Sequence, residues 1–217
     1  MYRRNLTGII ERGQTRPFLQ AMQESSRHQD ERGIRARTTI WGAITGPTSG
    51  VLIASDFNSL EELEKFTEMV AKDSSFATLR REVRSKMVYD ESEVSIHRLD
   101  YHSEGLISSE DATAPRKYMR TLDGDVAPGR KRDFIHSIAQ SLEFQKARGI
   151  DATTSVWSAV TGATNGVSIV AEFDSLMELA RFDQMAAEDA DFARLRAATR
   201  ESMVFLTSRV TIMRSLA

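Results

Sequence analysis

The sequence repeats itself at a fixed distance. Gly33-Ile34 returns as Gly149-Ile150, 116 residues later, and Trp41 returns as Trp157 at the same offset. Gly46/Gly162, Gly50-Val51/Gly166-Val167, Phe57/Phe173, Ser59-Leu60/Ser175-Leu176 and Phe76-Ala77/Phe192-Ala193 keep that register without a gap. Residues 1–101 laid on 117–217 share about 42 identities, so one half was duplicated. A long, unbroken period dictates architecture before any local signal does. The stretch 102–116 between the copies is polar and carries Gly and Pro, the composition of a linker.

Each half reads the same way. Tyr2 to Ile10 has no helix signal and reads as a strand. Thr15 with Pro17 resembles a helix start, and Phe134, Ile138 and Leu142 make an i, i+4 stripe in the second copy. Gly33 and Gly149 end that helix. Ile34 to Thr45 reads as a strand, Gly46-Pro47-Thr48-Ser49-Gly50 as a turn, and Val51 to Phe57 as the second arm of a hairpin. Ser59-x-x-Glu62 and Ser175-x-x-Glu178 are capping boxes, in which the carboxylate returns to the N-cap amide. Leu60, Leu63, Phe66 and Met69 follow at helical spacing, and Asp73 caps a further segment through Phe76, Leu79 and Val83. Val88 to Leu99 closes the half as a fourth strand. The order βαββαβ is the ferredoxin-like split unit.

One such unit has helices on one face of its sheet and leaves the other face bare. Two copies supply the cover. The expected class is α+β: two tandem ferredoxin-like repeats (1–101 and 117–217, with 102–116 as linker) whose antiparallel sheets pack face to face as a pseudo-twofold α/β barrel. That pseudo-dimer lies within one chain, and further homo-oligomers stay open through strand edges or helices.

Composition removes several function classes. There is no cysteine, which excludes disulfides, thiolate nucleophiles and cysteine metal sites. Lys+Arg number 29 against 31 Asp+Glu, so no global positive field draws nucleic acid or an anionic membrane. No apolar run approaches the roughly 20 residues that cross a bilayer, and the N-terminal residues show no signal-peptide core. The chain reads as a soluble, cytoplasmic protein. No P-loop, dinucleotide fingerprint, Ser-His-Asp spacing or H-E-x-x-H is present.

The segment Trp41 to Leu79 resembles the dimeric α/β-barrel superfamily, and its NIPSNAP-like branch most. The carrying residues are the Gly46–Gly50 turn, Asp56-Phe57, Ser59-Leu60-Glu61-Glu62-Leu63 and Asp73-Ser74-Ser75-Phe76, matched again at Trp157 to Leu195. The resemblance implies the barrel fold. It also implies a range of activities: cofactor-independent monooxygenases, polyketide cyclases, lactone isomerases, haem-degrading enzymes and haem-binding chlorite dismutase relatives. Fold does not choose among them.

The strands supply candidate residues. Identities fall on every second position of the first strand, Tyr2/Tyr118, Arg4/Arg120, Leu6/Leu122 and Gly8/Gly124, and on Val94/Val210, Ile96/Ile212 and Arg98/Arg214 of the fourth. A sheet covered on both faces should read as nearly continuous Val, Ile and Leu. These strands carry arginines, which are either paired with carboxylates or line a wet cavity. Arg4 and Arg98 are therefore candidates to stabilise an enolate or phenolate, and Tyr2, Tyr118, Arg120 and Arg214 to bind the ligand. Trp41 and Trp157 are core packing or the walls of a site for a flat ligand. His97 is the only histidine on a predicted sheet, so it is the candidate general base. No spacing defends a metal site.

The function these residues and the resemblance imply is a small-molecule enzyme. It would act without metal or cofactor on a hydrophobic or aromatic, polyketide-like substrate, by oxidation, cyclisation or isomerisation. The alternatives are a non-catalytic ligand-binding or assembly module on the same fold, and a haem-binding relative of the chlorite dismutase branch.

Overall fold

Helix and strand alternate identically in the two repeats. The first runs β1 (Tyr2–Ile10), α1 (Thr15–Glu31), β2 (Arg37–Ala43), β3 (Gly50–Phe57), α2 (Leu60–Lys72), α3 (Ser74–Arg84) and β4 (Met87–His102). The second runs β5 (Tyr118–Val126), α4 (Lys131–Ala147), β6 (Thr153–Ala159), β7 (Gly166–Phe173), α5 (Leu176–Glu188), α6 (Ala190–Glu201) and β8 (Met203–Ser215). The structure is a computed structural model and describes residues 1–47, 49–105 and 115–216, without the side chains of 89–91 and 205–207. Most of the expected linker (106–114) and Thr48 of the expected turn lie outside the described residues.

Local chemistry explains the boundaries. β2 begins at Arg37, not at Ile34 as the β-rich composition suggests. Gly33 takes φ +70°, and the Ile34 amide donates 3.0 Å back to the Gln29 carbonyl. That is the six-to-one bond of a Schellman C-cap, with buried Ile34 as its apolar anchor. The capping boxes form with one change. Ser59 Oγ accepts from the Glu62 amide, but the Glu62 carboxylate accepts from Asn58 N at 2.8 Å, one residue before the N-cap. The second copy repeats this with Ser175, Glu178 and Asp174. Asp73 and Asp189 cap α3 and α6 by accepting two amides each.

The chain divides into two compact units whose borders differ from those of the repeats. The first contains Met1–His97 and takes in the chain's end from Met213. The second runs to Ile212 and takes in β4 from Arg98. In the first unit the strands neighbour one another as β4-β1-β3-β2, followed by the end of β8. Trp41 faces Ser215 and Gly42 faces Arg214 in that last pairing, and Leu216 N donates 2.9 Å to Ile40 O. In the second unit the order is β8-β5-β7-β6, followed by the end of β4, where Ser103 N donates 2.9 Å to Thr154 O.

One face of each sheet packs on helices. In the first unit Leu6, Ile40, Val51 and Ile53 meet Phe18, Ala21 and Met22 of α1. Phe57 meets Leu63, Phe66 and Phe76 of α2 and α3. The second unit repeats both clusters with Leu122, Val156, Phe134, Ile138 and Leu142, and with Phe173, Leu179 and Phe192. A Cβ at Gly8, where β1 meets β4, would stand 2.5 Å from Met87 Cε, so the end of that methionine would have to shift. Among the described residues no helix is long and apolar enough to cross a membrane.

Candidate functional site

Alternation along β1 sends Arg3 and Arg4 to opposite faces, and their fates differ. Arg3 is buried and grips Asp56 of β3 with two bonds, 2.6 Å from Nε and 2.9 Å from Nη2. Arg4 points to the helix side with Leu6, where its Cζ stands 5.6 Å from the centroid of Phe66 in α2. Burial first, and then Arg80 and Arg84, push the Arg4 pKa down to about 10. In the second unit Arg120 repeats the arrangement, with Cζ 5.4 Å from the Phe182 centroid. Its pKa is also lowered, chiefly by burial and further by Arg196, while Asp183 acts in the opposite sense. Neither Arg4 nor Arg120 makes a hydrogen bond or carboxylate ion pair among the described residues.

Arg120 borders a cavity of about 230 Å³ in the second unit, between the sheet and α4, α5 and α6. Phe173, Phe182, Phe192, Leu122, Ile138 and Ile169 form its apolar wall. Arg196 and Arg200 of α6 complete the cationic end, with Ser141, Gln145, Thr154, Thr199 and Ser208 as neutral polar groups. Burial and Arg200 lower the Arg196 pKa as well. The site is thus an apolar slot with desolvated guanidinium groups at one end. Such groups gain most from an anion that enters with its apolar body against the rings. Among the described lining residues none is His, Asp, Glu or Lys.

A second cleft of about 360 Å³ opens in the same unit between the Val126–Lys131 turn and the β6–β7 hairpin, with Arg98 on its wall. Arg98 is exposed and binds Asp100 Oδ1 at 3.2 Å. The Asp100 side chain is little exposed and also takes Lys131 Nζ at 2.6 Å and the Ser158 hydroxyl. The first unit has none of this cluster but the arginine. At the equivalent positions Leu216 packs against Gly42, where a Cβ would approach Leu216 to 3.0 Å.

The remaining candidates are scattered. Tyr2 faces Phe57 across the β1–β3 ladder and Tyr118 faces Phe173 across β5–β7. Trp41 and Trp157 are 2% and 1% exposed. Each indole N–H is satisfied inside its own strand, by Thr39 Oγ1 at 3.1 Å and Ser155 Oγ at 2.8 Å. Neither tryptophan lines the two cavities. Arg214 is exposed near the chain's end. His97 Nε2 is 2.9 Å from Ser95 Oγ and touches neither cavity. Of the nine candidates, only Arg120 meets the apolar slot and only Arg98 meets the cleft. Arg196 and Arg200 do not stand out in the sequence, because on a helix, among acids, they look like a solvated face. Their identity with Arg80 and Arg84 across the repeat was the available signal.

No family profile and no curated protein sequence matches this chain. Solved structures do. An anthrone oxidase-like protein superposes with a TM-score of 0.66 at 12% identity, over 100% of this chain and 91% of its own. A candidate monooxygenase from Fusobacterium nucleatum gives a TM-score of 0.67 at 9% identity, over 100% and 92%. A candidate chlorite dismutase gives 0.61 at 13%, over 100% and 94%. The haem-bearing branch of the fold raises the question of haem, which needs an axial donor. Neither cavity's described lining includes a histidine; His136 on α4 is exposed, and His28 is held by Asp73 at 3.1 Å. The described lining of these two cavities offers a haem no histidine ligand. At these identities the likeness speaks for the fold, and it does so over the full length of the chain. The chain has the tandem ferredoxin-like, dimeric α/β-barrel fold.

Proposed function

We propose that this chain is a small-molecule enzyme of the dimeric α/β-barrel type. It acts without a metal on a hydrophobic or aromatic, polyketide-like substrate, in the helix-covered slot of the second unit. The observation that carries this reading is Arg120, a largely buried guanidinium with an aromatic face and no carboxylate bonded to it, at the end of an apolar wall. Loss of a proton next to a carbonyl leaves an enolate, or in an aromatic ring a phenolate. A preorganised cation in a dry site stabilises that oxygen far more than water-exposed charge does. The carbanion character so stabilised is what oxidation, cyclisation and isomerisation all require. Arg4, the counterpart of Arg120, and Arg98 with His97 are secondary candidates.

The anthrone oxidase-like neighbour supports a concrete test. Anthrone and dioxygen give anthraquinone and water, with the enolate of anthrone as the species that reacts. The purified chain should consume oxygen and form anthraquinone above the buffer rate. Arg120→Gln should lower that rate by about 100-fold, the usual loss of one oxyanion-stabilising group. Equal rates in both proteins would overturn the role of Arg120.

A non-catalytic ligand carrier is favoured by one observation: no proton-transfer side chain lines the slot among the described residues. In that case anthrone, or an aromatic carboxylate such as 2-naphthoate, binds and Arg120→Gln weakens it, with no turnover of any enolisable probe.

A further inference from the structure

The cleft beside Arg98 lies wholly in the second unit and shares no described lining residue with the apolar slot. Its walls carry two cations, Arg98 and Lys131, and none of its described lining residues is Asp or Glu. Val126, Val160 and Val167 supply an apolar side, and Thr164 and Asn165 neutral polar groups. At about 360 Å³ it lies within the size range of small-molecule sites.

One carboxylate holds both cations in place. Arg98 gives Nε and Nη2 to Asp100 Oδ1, at 3.3 and 3.2 Å, and Lys131 Nζ reaches Asp100 Oδ2 at 2.6 Å. A planar guanidinium bonded along that edge keeps its other fork, one N–H from each Nη, and an ammonium has three donors. The arginine and lysine side chains are 53% and 41% exposed, against 8% for Asp100. Asp100 is not among the described lining residues. The carboxylate thus fixes the two cations from outside the cleft and leaves donors of both for a ligand.

The first repeat differs at each of these places. Lys131 answers to Thr15, Asp100 to Leu216, Ser158 to Gly42, and Ala127, a lining residue, to Glu11. There Leu216 packs on the core of the first unit. The fold therefore closes this place without charge, and the cluster is not a demand of the architecture. The second repeat has a lysine where the first has a threonine, and an alanine where the first has a glutamate. Both differences favour an anion in the cleft.

We infer that this cleft is a second ligand site and takes a small organic acid, its carboxylate on Arg98 and Lys131 and its body against the valines. The inference goes beyond the reaction proposed for the slot, because a carrier and an enzyme would both show it.

Calorimetric titration with benzoate at low ionic strength and pH 7, on the full chain carrying Arg120→Gln, isolates the cleft from the slot. One site is expected. Lys131→Thr and Ala127→Glu install the first repeat's residues, and each should weaken that site by roughly tenfold. Circular dichroism checks that each variant is folded. If a variant does not fold, the wild-type protein still decides the matter. Benzoate should protect Lys131 from acetic anhydride, read by mass spectrometry of the peptide that contains it, and inorganic phosphate at equal ionic strength should protect it less. An absence of saturable benzoate binding to the Arg120→Gln protein would overturn the inference. So would binding unmoved by Lys131→Thr and Ala127→Glu, acetylation of Lys131 unaffected by benzoate, or better protection by phosphate. A single wild-type site that survives Arg120→Gln and is weakened by Lys131→Thr would uphold it and count instead against the proposed slot.

Discussion

Asp100 and Lys131 are joined by a 2.6 Å ion pair, and the carboxylate that anchors it is 8% exposed. The same carboxylate takes Arg98 and the Ser158 hydroxyl, so three side chains depend on one buried anion. Removing the anion alone leaves two cations and a hydroxyl without their acceptor. Asp100→Ala should therefore cost about 2–4 kcal/mol, measured by urea denaturation. The first unit shows the apolar solution to the same position, Leu216 against Gly42. The double variant Asp100→Leu with Ser158→Gly copies it and should recover at least half of the loss. A double variant no more stable than Asp100→Ala would mean that the cluster has no apolar substitute.

A mirror-image exchange separates Arg3 from Met119. The first unit buries the Arg3–Asp56 pair, with two bonds of 2.6 and 2.9 Å. The second unit has buried Met119 in place of the arginine. Asp56→Ala takes the two-bonded carboxylate from a buried guanidinium and should cost about 3–5 kcal/mol. Adding Arg3→Met to that variant should restore most of the stability, because no unpaired charge then remains. Additive losses in the double-mutant cycle would count against this account.

Acid should attack the two α-helical caps together. Hydrogen bonds from Ser75, the Phe76 amide and His28, together with Arg32, hold the Asp73 carboxyl well below the usual carboxylate range. Bonds from the Phe192 and Asp191 amides and from Arg148 lower Asp189. A carboxyl whose folded pKa is depressed adds stability that is complete above its unfolded pKa, about 4. That stability is lost as pH falls below it. Melting temperature should thus fall below about pH 4. Asp73→Asn should be less stable than wild type at pH 7 and approach it at pH 3. Parallel pH profiles for the two proteins would exclude the cap as the acid-sensitive element.

Arg4 obeys the opposite sign. Its folded pKa of about 10 lies below the ordinary 12.5, so the charged form is penalised by folding. The penalty is fully present below pH 10 and is relieved as pH rises from there toward 12.5. Arg4→Met should raise stability by about 1 kcal/mol at pH 7. Phe66→Ala, which empties the core beneath it, should lower stability by about 3–5 kcal/mol. A destabilised Arg4→Met would show that the packing of the guanidinium on Phe66 outweighs the cost of its burial.

The architecture was legible because a repeat fixes every element twice: a cap read at Ser59 is checked at Ser175, and a strand at Tyr2 by one at Tyr118. Boundaries were less so. Ile34 has the composition of a strand residue, but a glycine in the left-handed region turned it into the anchor of a helix end. The Glu62 carboxylate passed over the N-cap amide for Asn58, a choice of geometry that no spacing reveals. For the site, alternation puts Arg3 and Arg4 on opposite faces, yet which arginine finds a carboxylate depends on Asp56 lying across the ladder. The tryptophans were open to two readings until their indole N–H groups were seen bonded within their own strands. The strand exchange, with Met213 onward in the first unit and Arg98 onward in the second, had no sequence signal, because both pairings satisfy the same alternation.

That exchange sets a timetable for biosynthesis. The sheet that holds β1 to β3 is finished by residues made far later, Met213 to Leu216. A nascent chain must carry an open strand edge on β2 until those residues leave the ribosome. Deleting Met213 to Leu216 would harm the earlier-made unit more than the one made beside it.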